Sequence, residues 1–162
     1  IRLPLWSSAE ACQETVREFL PYADLVKLSD EECFFVTGKH SILDAADWLF
    51  EQGCKMVLYS MGKEGAMILT PHFSSHVENP EVRVKDTTGA GDAIIGAYLY
   101  CLAKNHITVS QLADCLPEQV QEWLTFAVYY ANYSITKSGA IASYPDYTTF
   151  VKWMQEKRKN AH

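Results

Sequence analysis

Asp86-Thr-Thr-Gly-Ala-Gly-Asp92 sets two carboxylates around a glycine-rich turn, and its flanking residues say where that turn lies. Val82 and Val84 alternate with polar residues as a half-buried strand would, whereas Ala90 to Ala103 is nearly devoid of polar side chains, as a buried helix would be. The turn then falls at the carboxyl end of a strand, the end that faces the ligand crevice in open α/β sheets. Gly89 and Gly91 remove side chains where backbone must approach another group closely, and the first N–H groups of a helix have no intrahelical partner. Gly89, Ala90, Gly91 and Asp92 thereby offer donors to an anion of phosphate size. A carboxylate beside such a hole repels the anion, so Asp92 has the position of a general base that takes a proton from the ligand or its attacker. An Asp in the first turn of a helix also meets the macrodipole favourably, and the local pattern does not separate the two readings. Two other phosphate motifs fail on spacing. Counting from Gly89, a dinucleotide fingerprint needs glycine at Ile94, and no Gly-Lys-Ser/Thr tripeptide occurs.

The elements that must hold this turn follow a strand–helix rhythm. Ser7 or Ser8 caps a first helix carrying Cys12, Val16, Phe19 and Leu20 at helical spacing, and Pro21 helps end it. Ala23 to Leu28 reads as a buried strand, which puts Ser29 and Glu32 at its carboxyl edge, although a solvated acid in an acidic run is the plainer reading of Glu32. Leu43 to Gln52 is an amphipathic helix closed by Gly53, and Lys55 to Tyr59 is the next buried strand. This βαβ order implies a parallel sheet. Ser60, Gly62 and Gly65 follow at the strand's end, where a loop can reach a ligand and also turn the chain into a hairpin with Ala66 to Leu69. Asn105-His106 stops the long helix, Ser110 caps a short one, Trp123 to Ile135 is a further apolar helix, and Pro145-Asp146 opens the last. His72 and His76 have a metal-like helical spacing, but Pro71 and the strand-like surroundings make them surface histidines. Lys157-Arg-Lys159 reads as a solvated helix end.

A chain of 162 residues that is 48% hydrophobic suits one domain with a real core. The formal net charge of −6 argues against nucleic acid as a main partner, while a small anion can still be held locally by N–H groups and a few cations. Five cysteines without a Cys-x-x-Cys pair suggest neither a disulfide framework nor a zinc site, and point to reduced thiols in the cytoplasm. No apolar run approaches the roughly 20 residues of a membrane span. The first residue is not Met and a motif is already under way at Arg2, so a chain cut from a longer one is expected.

Asp86-Thr-Thr-Gly-Ala-Gly-Asp92 resembles the second signature of the ribokinase-like (PfkB) carbohydrate kinases, and other segments agree in order. Ser29-Asp-Glu-Glu32 before Thr37-Gly38 resembles that family's Asn-x-x-Glu segment, with Ser29 in place of Asn. Ser60-Met-Gly-Lys-Glu-Gly65 resembles its nucleotide loop, and Gly139-Ala140 through Ser143 and Pro145 its late cation-site loop. Arg2-Leu-Pro-Leu-Trp6 is similar to a segment of fructokinases. The resemblance implies a three-layer α-β-α ribokinase-like fold with a mostly parallel sheet, of which residues 1–162 are the C-terminal, nucleotide-binding part. It implies transfer of the ATP γ-phosphoryl group to a sugar hydroxyl, with Asp92 as base and Gly89, Ala90 and Gly91 in the anion hole. Ser29, Glu32, Ser60, Gly62, Gly65, Asn132 and Arg2 would face ATP, although an Asn satisfied within its helix is the alternative at Asn132, and solvent the alternative at Arg2. Glu32 would organise Mg²⁺ through water, and Asp86, Thr88, Gly139 and Ser143 would hold K⁺. The sugar would rest mainly on an N-terminal half and lid outside these residues, and a full-length parent would be a homodimer. A piece without activity of its own, or a kinase-like fold kept for interaction, is the rival reading.

Overall fold

The computed structural model describes residues 1–160. Its sheet has four strands in sequence order: β1 (Leu25–Ser29), β2 (Met56–Ser60), β3 (Ala66–Leu69) and β4 (Ser74–Val77). β1 and β2 are parallel, as the βαβ order predicts, and Ser29 sits level with Ser60 at their carboxyl ends. β2–β3 and β3–β4 are antiparallel, so the described sheet is mixed rather than mostly parallel. The connections at 61–65 and 70–73 account for this, because a parallel pairing needs a crossover of a dozen or more residues.

Alternation along the central strands sends side chains to two cores. Met56 and Leu58 of β2 pack with Ala66 and Ile68 of β3 against α4 (Ala90–Lys104) and α5 (Pro117–Ser134). Val57 and Leu69 face the other way, toward α2 (Asp30–Thr37) and α3 (Ile42–Glu51). The result is a three-layer α-β-α arrangement. Tyr98 of α4 is fully buried and meets Trp123 of α5 edge-on at 6.5 Å. Burying Leu124 completely beside them is worth about 1.5–3 kcal/mol. α1 (Ala9–Phe19) begins at Ser8, whose Oγ accepts the Ala11 N–H at 3.1 Å, and α6 (Tyr147–Asn160) packs on α5 through Phe150.

Two local expectations fail. Val82 to Lys85 joins no strand ladder; its alternation comes from valines that line a groove, and the N–H groups of Lys85 and Asp86 donate to the Ile135 carbonyl at 2.8 and 3.2 Å. The short helix at 109–114 is capped by Thr108 and not by Ser110, because Gln111 completes a capping box with Thr108. His72 and His76 are exposed, with His76 on β4 and hydrogen-bonded to the Glu64 carbonyl. All five cysteines are free and buried. Among the described residues, no helix is long and apolar enough to cross a membrane.

Candidate active site

The glycine turn is shaped by what surrounds it. Gly89 caps α4 with φ +79°, and a β-carbon there would stand 2.9 Å from both Ala140 Cβ and the Tyr144 hydroxyl. Only glycine fits. The Ala90 N–H donates to the Thr87 carbonyl at 3.1 Å, which removes Ala90 from the expected donors. Among the described residues, the N–H groups of Gly89, Gly91 and Asp92 have no protein partner, which leaves three donors for an anion.

Gly91 also opens a way in for a cation that the motif reading missed. A β-carbon on Gly91 would lie 3.1 Å from Lys27 Nζ, so the Lys27 ammonium stands at the mouth of the donor set. Its signal in the sequence is a lysine inside the otherwise apolar run ending at Leu28, one residue before Ser29. Lys27 Nζ lies 3.6 Å from Glu32 Oε2. Ser29 Oγ accepts the Glu32 N–H at 3.4 Å, and Glu32 Oε2 accepts the Ser29 N–H at 2.9 Å, a reciprocal cap on α2. Burial pushes the Glu32 carboxyl up, while the Ser29 N–H and Lys27 draw it down.

One groove of 940 Å³ joins these parts. Lys27, Ser29, Ala90 and Gly91 line one stretch, and Ser60, Gly62, Gly65 and Asn132 line the rest. Gly62 and Gly91 therefore share a face. The Ser60 hydroxyl donates to the Leu28 carbonyl at 3.4 Å. Gly65 has φ +96°, and a β-carbon there would come within 2.0 Å of the Val77 carbonyl oxygen of β4. Asn132 is only 5% exposed and donates to Val128 O at 2.9 Å and to Asn79 Oδ1 at 2.8 Å. Asn79 in turn donates to the carbonyls of Gly62 and Lys63 at 2.7 and 3.2 Å. Asn132 is thus satisfied within its helix and, through Asn79, also fixes the 62–63 loop. No sequence pattern singled out Asn79. Arg2 is exposed and is not among the residues that line the groove.

The late loop returns to the turn. Asp86 Oδ1 accepts the Thr88 N–H at 2.9 Å and Oδ2 accepts the Gly139 N–H at 2.8 Å, and these bonds, Gly139 first, hold the carboxyl down at about 2. Ser143 is 2% exposed, and its hydroxyl donates to the Ala140 carbonyl at 2.6 Å. The Tyr144 hydroxyl donates to the Gly89 carbonyl at 3.1 Å; burial and the nearby Asp92 carboxylate push its pKa up. Asp92 itself borders a separate 280 Å³ cavity walled by Tyr100, Phe126, Tyr130, Tyr144 and Phe150.

As for metals, the described residues contain no cluster of three His, Cys, Asp or Glu side chains. One carboxylate, with both oxygens accepting backbone N–H groups, beside loop carbonyls is a sparse donor set for a bare divalent ion, which takes about six or more oxygens. Glu32, whose Oε2 accepts the Ser29 N–H, fits a water-mediated role toward Mg²⁺.

Unpartnered donors at a helix start and a glycine loop at a strand end, joined by one groove on an α-β-α scaffold, make a site suited to a phosphate-bearing ligand. The pattern of the pfkB family carbohydrate kinases matches residues 1–147, and the chain belongs to that family. It is 34% identical over 146 residues to Fructokinase-2 of Solanum habrochaites, covering 90% of this chain and 43% of that protein. It resembles the fructokinase of Xylella fastidiosa solved with bound ATP, with a TM-score of 0.89, 25% identity and coverage of 98% and 50%. A double mutant of the Vibrio cholerae O395 fructokinase, solved in fructose-, ADP- and potassium-bound form, matches with a TM-score of 0.82, 28% identity and coverage of 95% and 48%. The chain spans less than half the length of the curated relatives it matches here.

Proposed function

We propose that residues 1–162 are the C-terminal, nucleotide-binding part of a fructokinase-like kinase that transfers the ATP γ-phosphoryl group to a sugar hydroxyl. The observation that carries this reading is the single groove running from Ser60, Gly62 and Gly65 to Gly91 and Lys27. ATP lies along it, with its phosphates toward Lys27 and the free N–H groups of Gly89, Gly91 and Asp92. Phosphoryl transfer depends on positioning and charge neutralisation, which these donors and the ammonium supply to the transferring oxygens. Asp92, one residue further on, faces the acceptor side. It takes the hydroxyl proton as the new oxygen–phosphorus bond forms and the bond to the leaving ADP breaks. Asp86, Thr88 and the 139–143 loop would hold K⁺, and Glu32 would hold Mg²⁺ through water; when bound, these ions neutralise phosphate charge and stiffen the turn.

The test is calorimetric titration of ATP into the 162-residue chain. Binding is expected, and Lys27→Met is expected to weaken it roughly tenfold by removing one charge-assisted contact. Absence of ATP binding, or equal affinity in the Lys27→Met variant, would sink the groove assignment.

A further inference from the structure

A second cleft, of 690 Å³, lies on the far side of the 82–85 segment from the groove, with Val82 and Val84 lining both. Its remaining walls are Thr136 and Lys137, just after α5, and Trp153 and Lys157 of α6. Four of its lining residues, Arg83, Lys85, Lys137 and Lys157, are cationic and none is acidic, in a chain whose net charge is −6. None of the four is in an ion pair among the described residues, so no carboxylate there offsets their charge.

What holds these ammonium groups leaves their charge intact. Lys157 Nζ donates to the Glu81 carbonyl at 2.6 Å and lies 5.9 Å from the centre of the Trp153 ring. Lys137 lies 5.8 Å from the Tyr133 ring, which itself meets Trp153 edge-on at 5.3 Å. Aromatic faces and a carbonyl orient a cation without neutralising it. A concave site lined by one sign of charge focuses the field and concentrates counter-ions of the opposite sign.

We infer that this cleft is a second anion site, separate from the groove, for a small molecule carrying two or more phosphate charges. Its limited extent and the acidic remainder of the chain favour a compact polyanion over the long basic footprint that a nucleic-acid backbone needs.

The probe is inorganic pyrophosphate, titrated calorimetrically into the chain at low ionic strength. Circular dichroism of each variant confirms folding, which the exposure of Arg83 and Lys137 favours. The expected result is two binding components: one that Lys27→Gln weakens, at the groove, and one that persists in Lys27→Gln, that Arg83→Gln/Lys137→Gln weakens by roughly tenfold or more, and that added salt weakens. Lys85→Gln is the second variant, with the same direction expected. Three results would overturn the inference: no pyrophosphate binding by the wild-type chain, binding lost with Lys27→Gln but not with the cleft variants, or an oligonucleotide binding more tightly than pyrophosphate through the same residues.

Discussion

Asp92 and Asp86 flank the same turn, and their surroundings assign them different work. Asp86 spends both oxygens on backbone N–H groups, one of them 53 residues away at Gly139. Its carboxyl is held at about 2, below the ordinary 3.8. The charged form is therefore the one that ties the turn to the late loop. Its contribution to stability is fully present above the ordinary value and is lost as pH falls toward 2. Asp86→Ala is expected to flatten the fall in melting temperature between pH 4 and 2, read by circular dichroism across that range. An unchanged acid limb would remove the tether. The Asp92 carboxylate has no hydrogen-bond partner among the described residues and opens on the aromatic cavity. In a full-length parent, Asp92→Asn keeps size and backbone but cannot accept a proton at neutral pH. Turnover is expected to fall by about 10²–10⁴ with ATP affinity nearly unchanged. Near-normal turnover with a lowered melting temperature would leave Asp92 as a helix-terminal acid. The glycine turn was legible from local order, because its residues are contiguous. Lys27, Asn79 and Tyr144 were not assigned by the motif reading, because each meets the site only after distant segments pack together.

Elements that reach the groove are held by polar side chains rather than by their own ladders. The 62–64 turn hangs on Asn79, and Asn79 is held by the buried Asn132 of α5. Asn79→Ala leaves an Asn132 N–H without that partner and frees two loop carbonyls. A loss of about 1–3 kcal/mol of stability is expected from the orphaned buried group. ATP affinity should fall as well, because the loop loses its fixed position. Parallel chemical denaturation and ATP titration check both, and a stability loss with unchanged ATP affinity would make the relay purely structural. Helix α3 was readable from periodicity because burial on one face imposes it, whereas β2 and β3 were readable as short apolar runs because a core covers each of their faces. Val82 to Lys85 shows where that reasoning fails. Alternation reports which side chains avoid water, and two valines facing a groove produce the same pattern as two valines facing a sheet.

At the scale of the whole molecule, the two sides of the transfer are unequally furnished. The nucleotide side has a long groove with an ammonium, free N–H donors and a braced glycine loop, all from this chain. The cavity beside Asp92 is lined otherwise by Ala, Gly, Pro, Phe and Tyr residues. Three of its tyrosine hydroxyls are already engaged: Tyr130 with the Pro145 carbonyl, Tyr144 with the Gly89 carbonyl and Tyr147 with Lys104. A sugar needs several convergent polar groups to fix the orientation of one hydroxyl, and a misplaced acceptor loses most of the advantage of being bound. The 162-residue chain is therefore expected to bind ATP while transferring no phosphoryl group to fructose. Calorimetry gives the first quantity, and a coupled assay of ADP release with and without fructose gives the second. Fructose-dependent ADP release by the chain alone would show that the polar groups around Asp92 suffice, and would overturn that expectation.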